Sequence, residues 1–168
     1  MIDQPGIAAM NPTQIMVKMT LDRWYTQIKN FDATLGMFTD EQLQKEIAPN
    51  KNTGIYLLGH LTAVHDEMIS LLDFGNKLFP ELNEPFIQLP DKSGAAFPAT
   101  KELRASWQKV NEVLAEKFSK LKPEEWFLKH TSVSSEDFIK EPHRNKLNII
   151  ITRTSHLSYH LGQFILLK

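Results

Sequence analysis

The sequence predicts an all-α protein folded as a four-helix bundle with a long crossover connection, and three observations predict it. Four long stretches repeat apolar side chains at helical spacing. The segments between them carry the prolines, glycines and capping residues that end helices. No run alternates polar and β-branched residues as a half-buried strand does. Long amphipathic helices with substantial connections bury their stripes against one another as a bundle. With 168 residues, the chain 1–168 is expected to be one domain.

The first helix is expected over 13–35, where Ile15, Met19, Trp24, Ile28, Phe31 and Leu35 recur at near-helical spacing. Pro12 suits its first turn, because a first-turn N–H has no intrahelical partner to lose. Gly36 is a plausible stop. A short piece follows over 39–47, where Thr39 and Gln42 stand at the spacing of a capping box. The second main helix runs over 53–74 with the stripe Leu57, Leu61, Val64, Met68, Leu71 and Leu72, and Gly75 ends it. The connection 76–98 then carries Pro80, Pro85, Pro90 and Pro98. Connections this long are uncommon in compact domains and are often functional or crossover segments, so this one is expected to arch over one end of the bundle. The third helix spans 99–121, with Thr100 as its capping candidate and Leu103, Trp107, Val110, Leu114 and Phe118 facing inward. Residues 122–145 are polar with isolated aromatics and are expected to be mostly irregular. The fourth helix fills 146–168, its stripe being Leu147, Ile150, Ile151, Leu157, Leu161, Phe164 and Ile165.

Composition excludes several classes of function. The chain is 42% apolar and 23% charged with net charge −1, so no bulk field draws it to nucleic acid or an anionic membrane. Cysteine is absent, which removes disulfides, thiolate metal sites and a cysteine nucleophile together. No stretch is long and apolar enough to span a bilayer. Residues 1–11 lack the basic and apolar regions of a signal peptide. A cytoplasmic location is the expectation.

Of the six histidines, His156 and His160 are the informative pair. A separation of four residues turns about 400° around a helix, so both rings project from one side, one turn apart. Two ring nitrogens can then converge on one cation at about 2.0–2.1 Å. At about 100° per residue the pair sits roughly 130° from the centre of the fourth helix's stripe, outside the position expected of a core histidine. Gln163, three residues past His160, shares that side and could orient a ligand ring or a bound water. A third donor must come from another helix, where His60 and His65 are about 140° apart and cannot easily serve one ion. His65 falls near the apolar stripe and suits a core position. His60 lies on the flank of that stripe and is the expected third ligand, with Glu67 two turns on as a conceivable acceptor for its ring. His130 and His143 fall in loop-like sequence and read as surface residues.

Gly59-His60-Leu61 on the second helix and Tyr159-His160-Leu161-Gly162-Gln163 near the end of the chain resemble the DinB-like (YfiT-like) superfamily of metalloenzymes. The likeness covers nearly the whole chain and is most specific over 153–168. It implies a four-helix bundle holding one divalent transition metal, nickel or zinc, through His60, His156 and His160, with further coordination positions open to water or substrate. It also implies a small-molecule substrate, since characterised members include transferases and isomerases that use low-molecular-weight thiols.

Three readings of function follow from these residues. The first is a metal-dependent enzyme, either a thiol-dependent S-transferase or a hydrolase using metal-bound water, because zinc-class ions lower the pKa of bound water to about 7. The second is a non-catalytic module that binds a metal or small ligand. The third is a structural domain with solvated histidines. Neither nucleic acid nor membrane is an expected partner, and the apolar flanks of the helices would suit a homodimer.

Overall fold

The computed structural model describes residues 10–167; residues 1–9, and with them most of the 1–11 segment read above for a leader, lie outside it. Among the described residues the chain is all-α, with no strand and two isolated β-bridges, Glu46 with Thr53 and Lys129 with Asn145. Four long helices are present: α1 (Pro12–Leu35), α3 (Gly54–Leu71), α4 (Thr100–Lys120) and α6 (Lys146–Phe164). Two short ones, α2 (Asp40–Leu43) and α5 (Ser135–Lys140), lie between them.

The starts of these helices follow from local chemistry. Asn11 caps α1 by accepting from the Gln14 N–H at 2.9 Å, with Pro12 behind it in the first turn. Thr39 and Gln42 form the expected capping box on α2. Thr53 caps α3, and Asn145 caps α6 through the Asn148 N–H. Thr100 does not cap α4. It is the first helical residue, its hydroxyl accepts from Gln44 Nε2, and the Glu102 carboxylate accepts from the Ala99 N–H instead. The segment 122–145 is more regular than its composition suggests. It holds a 3-10 turn, Pro123–Phe127, that buries Trp126, and then α5, capped by Ser134.

The long helices pack as α1 on α6, α6 on α3 and α3 on α4. Phe31 near the end of α1 meets Phe164 at the end of α6, with ring centroids 5.1 Å apart, so these two run the same way. Trp24 and Phe31 of α1 meet Phe118 and Trp107 of α4 in reverse order, so α1 and α4 are antiparallel. On α3, His65 lies against Trp107, and Phe74 just beyond α3 lies against Phe118, so α3 and α4 are parallel.

Parallel neighbours require the chain to return before α4 begins, and the connection 76–98 does this. It does not arch over one end as expected; it runs back along the flank of α3. The buried Asp66 carboxylate accepts from the N–H groups of Leu78 and Phe79 at 2.8 and 2.9 Å. Tyr56 Oη, almost three turns earlier on α3, donates to the Leu89 carbonyl at 2.9 Å. Asp91 then accepts from the Thr53 N–H at 2.6 Å, level with the start of α3. Between these ties the connection forms a 3-10 turn, Pro80–Leu82, and a π-helical turn, Glu84–Gln88, which bury Leu82 and Phe86.

This covering explains why α3 is buried on nearly every side rather than along one stripe. On α4 the expected inward set, Leu103, Trp107, Val110, Leu114 and Phe118, is buried throughout. On α1 the stripe is Val17, Trp24, Phe31 and Leu35, while Ile15 and Met19 face solvent. Ile151 and Ile165 of α6 are likewise exposed. The inward face of α6 is thereby rotated toward its histidines. Measured at about 100° per residue from the buried Leu157, His160 lies only about 60° away.

Candidate metal centre

Three of the six histidines come together, and they are His60, His156 and His160. His60 extends from α3 and the other two from α6, and their candidate ligand atoms all lie within 4.8 Å of one another. His156 Nε2 is 3.2 Å from His60 Nε2 and 3.0 Å from His160 Nε2. Two nitrogens bound to one ion at about 2.05 Å stand about 2.9 Å apart at a right angle and about 3.3 Å apart at a tetrahedral angle. The two spacings fall between those values.

The ring orientations follow from what the opposite nitrogens do. His60 Nδ1 is 2.8 Å from the Phe86 carbonyl, an acceptor only, so Nδ1 carries the proton and Nε2 presents a bare lone pair. His160 Nδ1 lies 2.8 Å from Gln163 Oε1, which accepts from it, and Gln163 Nε2 donates to Tyr159 Oη at 3.1 Å. His160 Nε2 is therefore bare as well. His156 Nδ1 is buried without a partner. His60 and His160 are thus held as ligand histidines around a metal commonly are, while His156 is not.

Gly59 makes the His60 anchor possible. A Cβ at this position would overlap the Phe86 ring, so glycine lets the connection approach α3 closely enough for the Phe86 carbonyl to reach His60. Gly162, the other glycine of the motifs, has open space where its Cβ would be. Tyr56, one turn before His60, stacks nearly parallel to its ring, at 8° between planes.

Burial disfavours charge on all three rings. His156 is lowered to about 4, first by burial and then by the nearby His160, His60 and Arg153. Burial also lowers His60 and His160, against the opposing hydrogen bonds to Phe86 and Gln163. The trio is therefore neutral, the form that binds metal, at neutral pH.

The remaining candidates fall elsewhere. His65 is fully buried between Trp24 and Trp107, with ring centroids 4.8 Å from each. Its Nδ1 lies 2.8 Å from Asn111 Oδ1, and Asn111 Nδ2 donates to the Trp107 carbonyl, which makes Oδ1 the acceptor. Glu67 does not serve His60; it ion-pairs with Lys77. His130 is buried rather than on the surface, with Nδ1 unpartnered, whereas His143 is exposed. Sequence reasoning misses Gly59, the Phe86 carbonyl and Arg153 as contributors. Gly59 stood beside His60 in the quoted motif, a carbonyl has no side-chain signal, and Arg153 carried only its place one turn before His156.

No family model matches the chain, and no curated protein matches it. A solved structure, described as the crystal structure of a conserved protein from Enterococcus faecalis, is similar to it with a TM-score of 0.59 and 20% sequence identity. The similarity covers 94% of this chain and 95% of that one. At that identity the likeness speaks to the fold. Among the described residues, no helix is long and apolar enough to cross a membrane.

Proposed function

We propose that this chain is a single DinB-like four-helix-bundle domain and a metal-dependent enzyme. His60, His156 and His160 would hold one divalent transition ion, nickel or zinc, and the substrate would be a small molecule. The carrying observation is the convergence of three Nε2 atoms, with two of the rings turned toward the centre by a carbonyl and an amide. Three neutral nitrogen donors are a borderline set that suits zinc and nickel.

A bound ion would supply Lewis acidity toward a thiol or a water, and three protein donors leave room for such a ligand. That favours a thiol-dependent S-transferase or a hydrolase. Gln163 would act by holding the His160 ring. Elemental analysis should find close to one ion per chain. Metal-loaded protein should accelerate thiol transfer to an electrophile, or hydrolysis of an activated ester or amide, and chelation should remove that rate. Bound metal with no turnover across such a panel would favour a non-catalytic binding module. Protein with no affinity for nickel, zinc or cobalt would overturn the reading.

A further inference from the structure

Arg153 stands on α6 three residues before His156 and seven before His160. At about 100° per residue it lies within about 20° of His160 around the helix axis, and so on the inward arc. Its charge is close enough to act on His60, His65 and His156 alike. The side chain is half-buried, Nε is buried without an acceptor, and the guanidinium has no hydrogen bond or ion pair among the described residues. Glu67 is the acid that acts on it, and that carboxylate is engaged by Lys77.

The charge balance is unusual. Three imidazoles are neutral ligands, so a bound divalent ion would keep its full charge, and a guanidinium would stand beside it in a partly dry space. Two cations held together cost metal affinity unless an anion completes the site. An unpartnered guanidinium offers a planar fork of donors that matches a carboxylate.

We propose that Arg153 is the substrate-anchoring residue of this centre and selects small molecules bearing a carboxylate. This rests on the metal reading above. The carboxylate pairs with the Arg153 guanidinium while the reacting group of the same molecule faces the three histidines. Arg153 holds the ligand and takes no part in bond making.

Three short thiols that differ in charge provide the test: mercaptoacetate, 2-mercaptoethanol and 2-aminoethanethiol. Each is titrated into cobalt(II)-loaded protein and followed by visible absorption. The anionic thiol should bind about tenfold or more tighter than the neutral one, with the cationic thiol weakest. Arg153→Gln should remove that preference, weakening mercaptoacetate far more than 2-mercaptoethanol. It should also raise cobalt affinity, because a repelling charge has gone; a merely structural arginine would lower it. Arg153→Lys should restore part of the preference. A cobalt-loaded site with no charge preference, or an Arg153→Gln variant that weakens all three thiols equally, would overturn the proposal alone. No cobalt spectrum in the parent protein would overturn the metal reading and this proposal with it.

Discussion

At the scale of single residues, the two motif glycines make opposite predictions. Gly59→Ala would drive a methyl into the Phe86 ring and displace the carbonyl that holds His60. Metal affinity should fall about tenfold or more though every ligand remains, since partners that orient ligands commonly contribute on that scale. Gly162→Ala meets open space on a helix and should add up to about 1 kcal/mol of stability with metal content unchanged. Isothermal titration and urea unfolding on both variants check the pair. Among the histidines, Ala at 60, 156 or 160 should each abolish retention of metal, whereas an Asn111→Ala change behind His65 should spare it. Loss of metal in Asn111→Ala with retention in His60→Ala would refute the ligand assignment. His65 also sets a pH dependence. Burial lowers its pKa from 6.5 to about 3, against the Asn111 hydrogen bond, so below pH 6.5 the unfolded chain takes up a proton that the folded chain refuses. Stability is complete above pH 6.5 and falls as pH drops toward 3, by about 2 kcal/mol between 6.5 and 5. A variant with Ala at 60, 156 and 160 should keep that fall, and a flat unfolding free energy over this range would show that His65 is not buried in its neutral form.

At the scale of elements, the ties between α3 and its connection make Asp66 a test residue. Its carboxylate receives two main-chain donors, so Asp66→Ala leaves both without a partner and should cost about 3 kcal/mol. The freed segment also carries the Phe86 carbonyl, so metal affinity should drop with stability although Asp66 lies more than a turn from His60. Unchanged affinity would mean that the connection holds its place without this tie. The sequence announced the helices through their periodicity and through residues such as Pro12 in the first turn of α1 and Gly36 at its end, although α3 stops at Leu71, ahead of Gly75. It did not announce the path of 76–98, because that path depends on distant main-chain donors meeting Asp66 and on a carbonyl meeting Tyr56. The rotation of the buried faces of α1 and α6 was hidden for a similar reason. Ile15, Met19, Ile151 and Ile165 are apolar yet exposed, and hydrophobicity alone does not say which apolar residues find a neighbour. The His156–His160 pair was legible because a spacing of four fixes a shared side of a helix, whereas Arg153 has no spacing rule of its own.

At the scale of the whole molecule, the core forms without the histidine cluster, as two buried apolar groups that share the partly buried Ile28 and Phe79. Trp24, Trp107 and Trp126 and the apolar residues around them are buried along the length of the fold. The metal-free protein should therefore keep its helical circular dichroism and unfold cooperatively. Adding nickel or zinc should raise the midpoint with the logarithm of ligand concentration over Kd, as expected for an ion that binds the folded state alone. A chain that is unstructured until metal is added would make the ion structural and weaken the case for catalysis. His60 stands 96 positions or more from the α6 histidines, so the pocket exists only once α6 has docked against α3. Yet the group that aims His60 belongs to the main chain of residue 86, and every amino acid supplies that carbonyl. Position 86 is thus free to drift in chemistry so long as its shape still rests on Gly59. Homologues could keep the same orienting bond while sharing no polar residue there, and a comparison of side chains would pass over it; Gly59 is the trace it would leave.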